Sequence, residues 1–401
     1  MVLGGNWRSE RQQKRLILFD KSGVLAYNTL MNENMKLLIQ SAGRTPDPRC
    51  QTRNFRHKLC DILVIAFCAI ICGAESYADL ELFGKFRQLW LSMYLELPNG
   101  IPNADTFQRV FEIVDSAAVA KALRKILTPE DFVARVVAFD GKTQRSSKKG
   151  KRRAWHTLSA YLTDAQIVLG EVICDEKSNE ITAIPELLDT LNVEKAIVTI
   201  DAMGAQTKIA EKIVEKKADY VLALKGNQAD LFDDVRFYLD NEQVPRLEIY
   251  DPKQRHGRQE KREYFLETNI DWLHNRENWA GLSAIGAVKS TVTEKGETRI
   301  ETRYFLTSLI SLEDFARAVR AHWGIENKLH WHLDVTFNED ASRVRNRNAT
   351  QVWNILRKTA LEHLKSLNNK KYSLKALRKG CGWSNDLLLH TLFGNEMPAQ
   401  F

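Results

Sequence analysis

Two short apolar runs, Val136 to Asp140 (VVAFD) and Ala196 to Asp201 (AIVTID), each end in an aspartate followed by a small residue. Consecutive apolar residues rich in β-branching, closed by Gly141 or Ala202, read as strands buried on both faces, which belong at the centre of an α/β sheet. Each run delivers a carboxylate to a sheet end where the chain turns away. If the two strands are parallel neighbours, Asp140 and Asp201 stand side by side and can hold divalent metal between them. Taken singly, either aspartate reads equally well as a turn or N-cap residue.

The chain around these runs supplies a topology. Residues 136–226 read as VVAFD, strands at Trp155 to Tyr161 and Ile167 to Cys174, a helix over Ile181 to Leu191, AIVTID, a helix over Ala205 to Lys216, and DYVLALKG. A short turn at Thr163 to Ala165 makes a hairpin of the second and third strands, whereas helices join the later strands and let them run parallel. A three-stranded meander followed by two parallel strands is the order of a ribonuclease H-like fold, with the first and fourth strands adjacent. Residues 227–309 interrupt this scheme with a helix near Leu231 to Leu239 and then EKREYFLE, GLSAIGAVKSTVT and TRIETRYFLTSL, the last two joined as a hairpin through EKGE. They predict a β-rich insertion with partly exposed strands.

Upstream, a helical period begins at Phe55, with one helix ending near Gly73, a second starting near Ser76 or Asp79, and a third over Gln88 to Leu97. A fourth, capped by Asn103 or Asp105, turns Gln108, Arg109 and Glu112 outward. Such a set suits a DNA-reading helix-turn-helix or a helical subdomain packed on the core, and the pattern leans to the second. The expected class is α/β, a ribonuclease H-like core with a β-rich insertion behind a small all-helical domain. The expected divisions are a poorly specified arm (1–53), a helical domain (54–130), the first part of the core (131–226), the insertion (227–310), a returning core helix (311–345) and a basic helical tail (346–401).

Charge adds a partner class. The net charge is +7 over 401 residues; Lys142 to Arg153 carries seven bases and no acid, and Arg345 to Lys379 carries ten bases against Glu362 alone. Such clusters suit a polyanion, although solvated basic faces are also common. The six cysteines are scattered without a CxxC pair, and Cys68 and Cys72 read as small buried hydrophobes. The longest apolar run, Ile62 to Gly73, falls short of the roughly 20 residues that span a bilayer. The first thirty residues are charged and lack an apolar core, so no cleavable signal peptide and a cytoplasmic location are expected. A phosphate-cradling GxxxxGK[ST] loop is absent, which excludes a P-loop kinase or ATPase.

Two aspartates hold divalent metal weakly, and two-metal phosphoryl transfer calls for a further acidic ligand. Glu326 is the best candidate. In HWGIENKLHW it stands between His322 at i−4 and His330 at i+4, so that all three share one helix face. A zinc site is disfavoured because no HExxH pattern exists. Pairing of Glu326 with Lys328 or Arg320 is the plainer alternative. Asp334, Glu339 and Asp340 are further candidates for the third acid, although NEDASRVR reads as a turn, with Asp340 capping the next helix or pairing with Arg343.

The segments DGKTQR, DEKSNEITAIPELL, VTIDAMGAQ, DYVLALKGNQ, RHGRQEKREYF and HWGIENKLHWHLDVTFNEDASRVR, in this order, resemble the DDE transposases of the ISAs1 insertion-sequence family. That group includes the H-repeat-associated proteins and belongs to the broader IS4-like transposases. The likeness runs from about Phe55 to about Phe393 and leaves residues 1–36 uncovered. It implies DNA transposition by a ribonuclease H-like domain using magnesium or manganese, on double-stranded DNA and as a homodimer, with Asp140, Asp201 and Glu326 as the acids. The Tyr, Arg, Glu, Lys signature of the broader group is not kept, since Val319, His322 and Leu333 stand at the flanking positions, so roles tied to those side chains do not transfer.

Within this reading Lys142, Arg145, Lys225, Arg255 and Arg258 follow strand ends or loops and are placed to hold phosphate oxygens, each weighed against a solvated surface base. Trp323 and Trp331 can stack on an unpaired base, but core packing is the favoured reading. Two rival functions are a DNA-binding relic without catalysis, which predicts a missing acid, and a nuclease of the same fold that cuts without joining strands.

Overall fold

The computed structural model describes residues 35–50, 55–124, 135–148, 153–174, 180–241, 244–250, 259–367 and 371–393. The chain divides into two compact units, one of Pro129–Asn354 and one that joins Met1–Thr128 to Ile355–Phe401.

The first of these is built on a nine-stranded sheet in the order β3-β2-β1-β4-β5-β9-β8-β7-β6. β1 (Val136–Thr143) is antiparallel to β2 (His156–Leu162) and parallel to β4 (Ile197–Ile200); β3 (Ile167–Cys174) extends the meander and β5 (Asp219–Leu224) runs parallel to β4. This is the ribonuclease H-like order expected from the sequence. Val136, Val137 and Phe139 are fully buried, each contributing roughly 1.5–3 kcal/mol by leaving water.

Strand alternation sorts these side chains onto two faces. Val137, Phe139, Val198 and Ile200 pack in one core with Leu187, Ile209, Ile213 and Val235, from the helices Glu180–Asp189, Thr207–Glu215 and Ala229–Asn241. Val136, Ile197 and Val221 pack in the other with Phe315, Ala316 and Val319 of the helix Leu312–Ile325. That helix lies close against the sheet because the strand Ala284–Glu294 offers Gly286, where a Cβ would stand 2.8 Å from Phe315 Cε2.

The inserted strands β6 (Arg246–Tyr250), β7 (Gln259–Glu267), β8 (Ala284–Glu294) and β9 (Glu297–Thr307) do not form a separate sheet. β9 pairs antiparallel with β5, Val221 opposite Thr307, and carries the insertion as a continuation of the same sheet. The partial exposure expected of these strands falls on the distal halves of β8 and β9, while their proximal halves are buried.

The second unit is helical. Leu59–Ile71 is buried along nearly its whole length. Tyr77–Phe86 begins with a capping box in which Ser76 and Asp79 satisfy each other's backbone N–H. Ala104–Ile113 is capped by Asn103 Oδ1, 2.9 Å from the Thr106 N–H. The C-terminal helices Leu374–Trp383 and Asn385–Phe393 belong to this unit.

Several bases of the 346–401 stretch serve this unit's interior. Arg378 is 5 % exposed and donates to the Ile70 and Ala74 carbonyls, both at 3.1 Å, which end the Leu59–Ile71 helix. Lys358 is likewise buried. Part of the basic run is therefore spent on folding, which corrects its reading as a polyanion-facing surface. All six cysteines are free, and Cys72 donates through Sγ to the Cys381 carbonyl at 3.2 Å. Among the described residues no helix is long and apolar enough to cross a membrane.

Candidate active site

The pairing of Phe139 with Ile200 brings the residues that follow, Asp140 and Asp201, to the same level of the sheet, where β4 ends and β1 runs on to Thr143. By alternation Asp140 shares a face with Val136, and Asp201 with Ile197, so both carboxylates lie on the face that the Leu312–Ile325 helix covers. Glu326 follows that helix directly. All three acids line one open cavity of about 540 Å³, together with Thr199, Lys225, Arg303, His322, Trp323 and His330.

Each carboxylate is held by its own local structure. Asp140 Oδ1 accepts from the Gly141 N–H at 2.9 Å, and His330 Nδ1 lies 3.4 Å from Asp140 Oδ2. Asp201 closes β4 and caps the tight turn Ala202–Gly204, accepting from the N–H groups of Met203 at 3.2 Å and Gly204 at 3.4 Å. Glu326 opens a π-helical turn, Glu326–His330, in which the Trp331 N–H reaches back to the Glu326 carbonyl. Such turns are rare and cluster at functional sites, because the extra residue per turn re-aims side chains.

The electrostatics fit a cation site. Burial pushes the Asp140 carboxyl up to about 7; the Gly141 N–H works against this, and the nearby carboxylates of Asp201, Glu326 and Glu180 add to it. Burial likewise pushes His322 down to about 4, so it stays neutral at pH 7, with Nδ1 hydrogen-bonded to Thr199 Oγ1 at 2.9 Å. An all-oxygen set of like charges suits a hard divalent ion. The three carboxylates share a cavity but are not drawn together. Among the described residues no group of three or more His, Cys, Asp or Glu side chains is gathered tightly enough to hold an ion as it stands.

The basic residues expected on phosphate divide. Lys225 is exposed and lines the cavity. Arg145 is 85 % exposed, with Nε 3.5 Å from Asp340. Arg255 and Arg258 lie outside the described residues. Lys142 is not available to phosphate, which corrects its assignment. Its ammonium is bound by Asp334 at 2.7 Å, Glu339 at 2.8 Å and Asp340 at 3.3 Å, and its side chain is 11 % exposed. Burial opposes that charge, but Glu339 and Asp334 outweigh it and hold the ammonium above its ordinary value. The same contacts occupy Asp334, Glu339 and Asp340, the other candidates for the third acid. Asp340, expected to cap a helix or pair with Arg343, pairs instead with Lys142 and Arg145.

Two guanidinium groups from the inserted strands lie over the Trp323 ring, Arg262 at 4.4 Å and Arg303 at 5.1 Å from its centre. Trp331 is 53 % exposed rather than packed in the core. Sequence reasoning also missed a buried pair under the site, in which His156 meets Glu180 and the other ring nitrogen lies 2.8 Å from Thr143 Oγ1. A Cβ at Gly141 would fall on this pair, so Gly141 is required for close approach and not for a turn. A glycine directly after the strand-end aspartate was the available signal.

Comparison with known proteins gives the family. The family described as "Transposase DDE domain" matches residues 131–362, and the "DDE_Tnp_1-associated" family matches residues 40–127. "Putative transposase YncI" of Escherichia coli is 40% identical over 86% of this chain and 92% of its own length. "H repeat-associated putative transposase YhhI" of Escherichia coli is 36% identical over 90% of this chain and 99% of its own length. Among solved structures, a piggyBac transposase synaptic complex with hairpin DNA overlaps at a TM-score of 0.45 and 11% identity, over 90% of this chain and 80% of that one. Its distance is too great to speak for any residue here. Through the domain match and these full-length relatives, the chain belongs to the DDE transposase family, whose members depend on divalent metal.

Proposed function

We propose that Asp140, Asp201 and Glu326 hold the divalent ions of this transposase, magnesium or manganese, and that the cavity they line is where double-stranded DNA is cut and joined. The observation that carries the reading is the common face: strand alternation and helix placement bring three acids from three distant segments to one cavity. A bound divalent ion supplies activation of the attacking oxygen and stabilisation of the leaving one.

The chain's own groups prepare that chemistry. The Gly141 N–H and His330 orient the Asp140 carboxyl, and the Ala202–Gly204 turn orients that of Asp201. Burial keeps His322 neutral beside them, with its ring held by Thr199 Oγ1, so that no competing positive charge enters the site. Lys225 and Arg303 give the cavity cationic walls for phosphate oxygens, and Arg145 extends them. The reaction is two in-line displacements. Water attacks the phosphodiester at the element end and frees a 3′ hydroxyl, which then attacks target DNA. Action as a homodimer on DNA and a cytoplasmic setting belong to the same proposal.

The test is nicking and joining of labelled DNA bearing the ends of the source element, with magnesium, with manganese and with chelator. Asp140→Asn and Asp201→Asn are expected to lose both steps while keeping DNA affinity. Full cleavage by either variant would remove that residue from the site, and metal-dependent cutting without joining by the wild type would favour a nuclease.

A further inference from the structure

We propose that Lys142 is a positioning residue that ties the Asp140 strand to the Glu326 helix and so sets the spacing of the carboxylates that receive the divalent ion. The inference rests on the three-acid reading above. Lys142 lies on the same face of β1 as Asp140, two residues on. Its ammonium has three N–H donors and three carboxylate partners: Asp334 Oδ1 at 2.7 Å, Glu339 Oε2 at 2.8 Å and Asp340 Oδ1 at 3.3 Å.

All three partners lie just downstream of Glu326. The π turn Glu326–His330 continues directly into the helix Trp331–Val335, which carries Asp334. Asn338 then adopts the left-handed conformation, φ 53° and ψ 38°, which Asn tolerates better than most residues. That residue reverses the chain into the turn Glu339–Ala341 and returns two more carboxylates to the same ammonium. Glu339 is 2 % exposed, so its charge has no recourse to water.

A lysine that binds phosphate is exposed and unspent, whereas Lys142 is 11 % exposed and fully engaged. Without it, three neighbouring carboxylates repel one another beside a strand that already carries Asp140. The segment after Glu326 then separates from β1, and the distance from Asp140 to Glu326 is no longer fixed.

The experiment measures Mn2+ affinity of the full-length protein alone, together with its affinity for duplex DNA across a salt series. Lys142→Met is expected to weaken Mn2+ binding by about 10–100-fold, as removal of groups that orient metal ligands does, with DNA affinity unchanged. Lys142→Arg, which keeps the charge, should recover part of the loss. Asp340→Asn, at the longest of the three contacts, tests the same connection where Lys142→Met fails to fold, and should shift Mn2+ affinity in the same direction by less. The proposal is overturned if Lys142→Met leaves Mn2+ affinity intact and instead weakens DNA binding with a salt slope smaller by about 1, the signature of a lost phosphate contact. Asp140→Asn and Glu326→Gln separate the two readings. If they lose Mn2+ and the Lys142 and Asp340 variants do not, the positioning role alone fails; if they keep Mn2+, the three-acid reading fails and the positioning role with it.

Discussion

Replacing Gly141 by alanine adds one methyl group at the most crowded point of the site. The new Cβ would fall on Glu180 Oε1 and His156 Nε2 and stand 2.8 Å from His156 Cε1. Gly141 is not among the positions with positive φ, so the penalty is steric and owes nothing to backbone conformation. β1 cannot retreat, because β2 and β4 flank it. His156 and Glu180 are 2 % and 3 % exposed and bonded to each other, so neither has a free rotamer to swing into.

If the pair shifts intact the cost is that of overpacking, about 1–3 kcal/mol. If it is parted, a buried charge loses its partner, at about 3–5 kcal/mol. About 3 kcal/mol is the expectation common to both. For a unit of this size that lowers Tm by about 6–12 °C, at roughly 2–4 °C per kcal/mol. Scanning calorimetry on Gly141→Ala and Gly226→Ala measures it; Gly226 has no neighbour within 4 Å of the added carbon and serves as control. In a His156→Ala background the same change should cost less, because the vacated ring leaves room for Glu180. A neutral Gly141→Ala, or an equal cost in both backgrounds, would refute the steric argument.

Three further outcomes follow from the same structure. Burial pushes the Asp140 carboxyl up to about 7, so if it holds the metal as proposed, Mn2+ affinity should fall up to about tenfold per pH unit below 7, measured by titration calorimetry. That folded value lies above the ordinary 3.8, so Asp140 lowers the stability of the metal-free protein as pH rises from about 4 through 7; Asp140→Asn should raise Tm at pH 8 and leave it unchanged at pH 4. Arg378→Met should destabilise the helical unit by about 2–4 kcal/mol, seen in urea unfolding, because two carbonyls at the end of the Leu59–Ile71 helix lose a buried charged donor.

What could be read ahead of the structure, and what could not, follows physical range. VVAFD and AIVTID announce themselves because central strands are apolar on both faces, and the aspartates stand out as the only charges in them. The five-strand order followed from connection lengths together with the ribonuclease H-like fold they match. The attachment of the insertion did not, since β9 pairs with β5 across a long stretch of chain and nothing in either strand names its partner. Glu326 was singled out by its four-residue spacing from His322 and His330, but that spacing reads as α-helix and conceals the π turn.

Lys142 was misread because its partners lie 192 to 198 residues away. A basic run looks the same whether its charges face solvent or buried carboxylates. Arg378 misled in the same way. The pair of His156 and Glu180 carried no periodic or spacing signal, and only Gly141, the residue they exclude from bearing a side chain, hinted at them.

The central claim is that Glu326 completes one site with Asp140 and Asp201. Its most direct test is manganese-dependent nicking of labelled element-end DNA by Glu326→Gln beside the wild type and Asp334→Asn, with folding checked by circular dichroism. Cleavage lost in Glu326→Gln and only reduced in Asp334→Asn is the predicted result. Full cleavage by a folded Glu326→Gln protein, with loss in Asp334→Asn, would contradict it and move the third carboxylate to the cluster around Lys142.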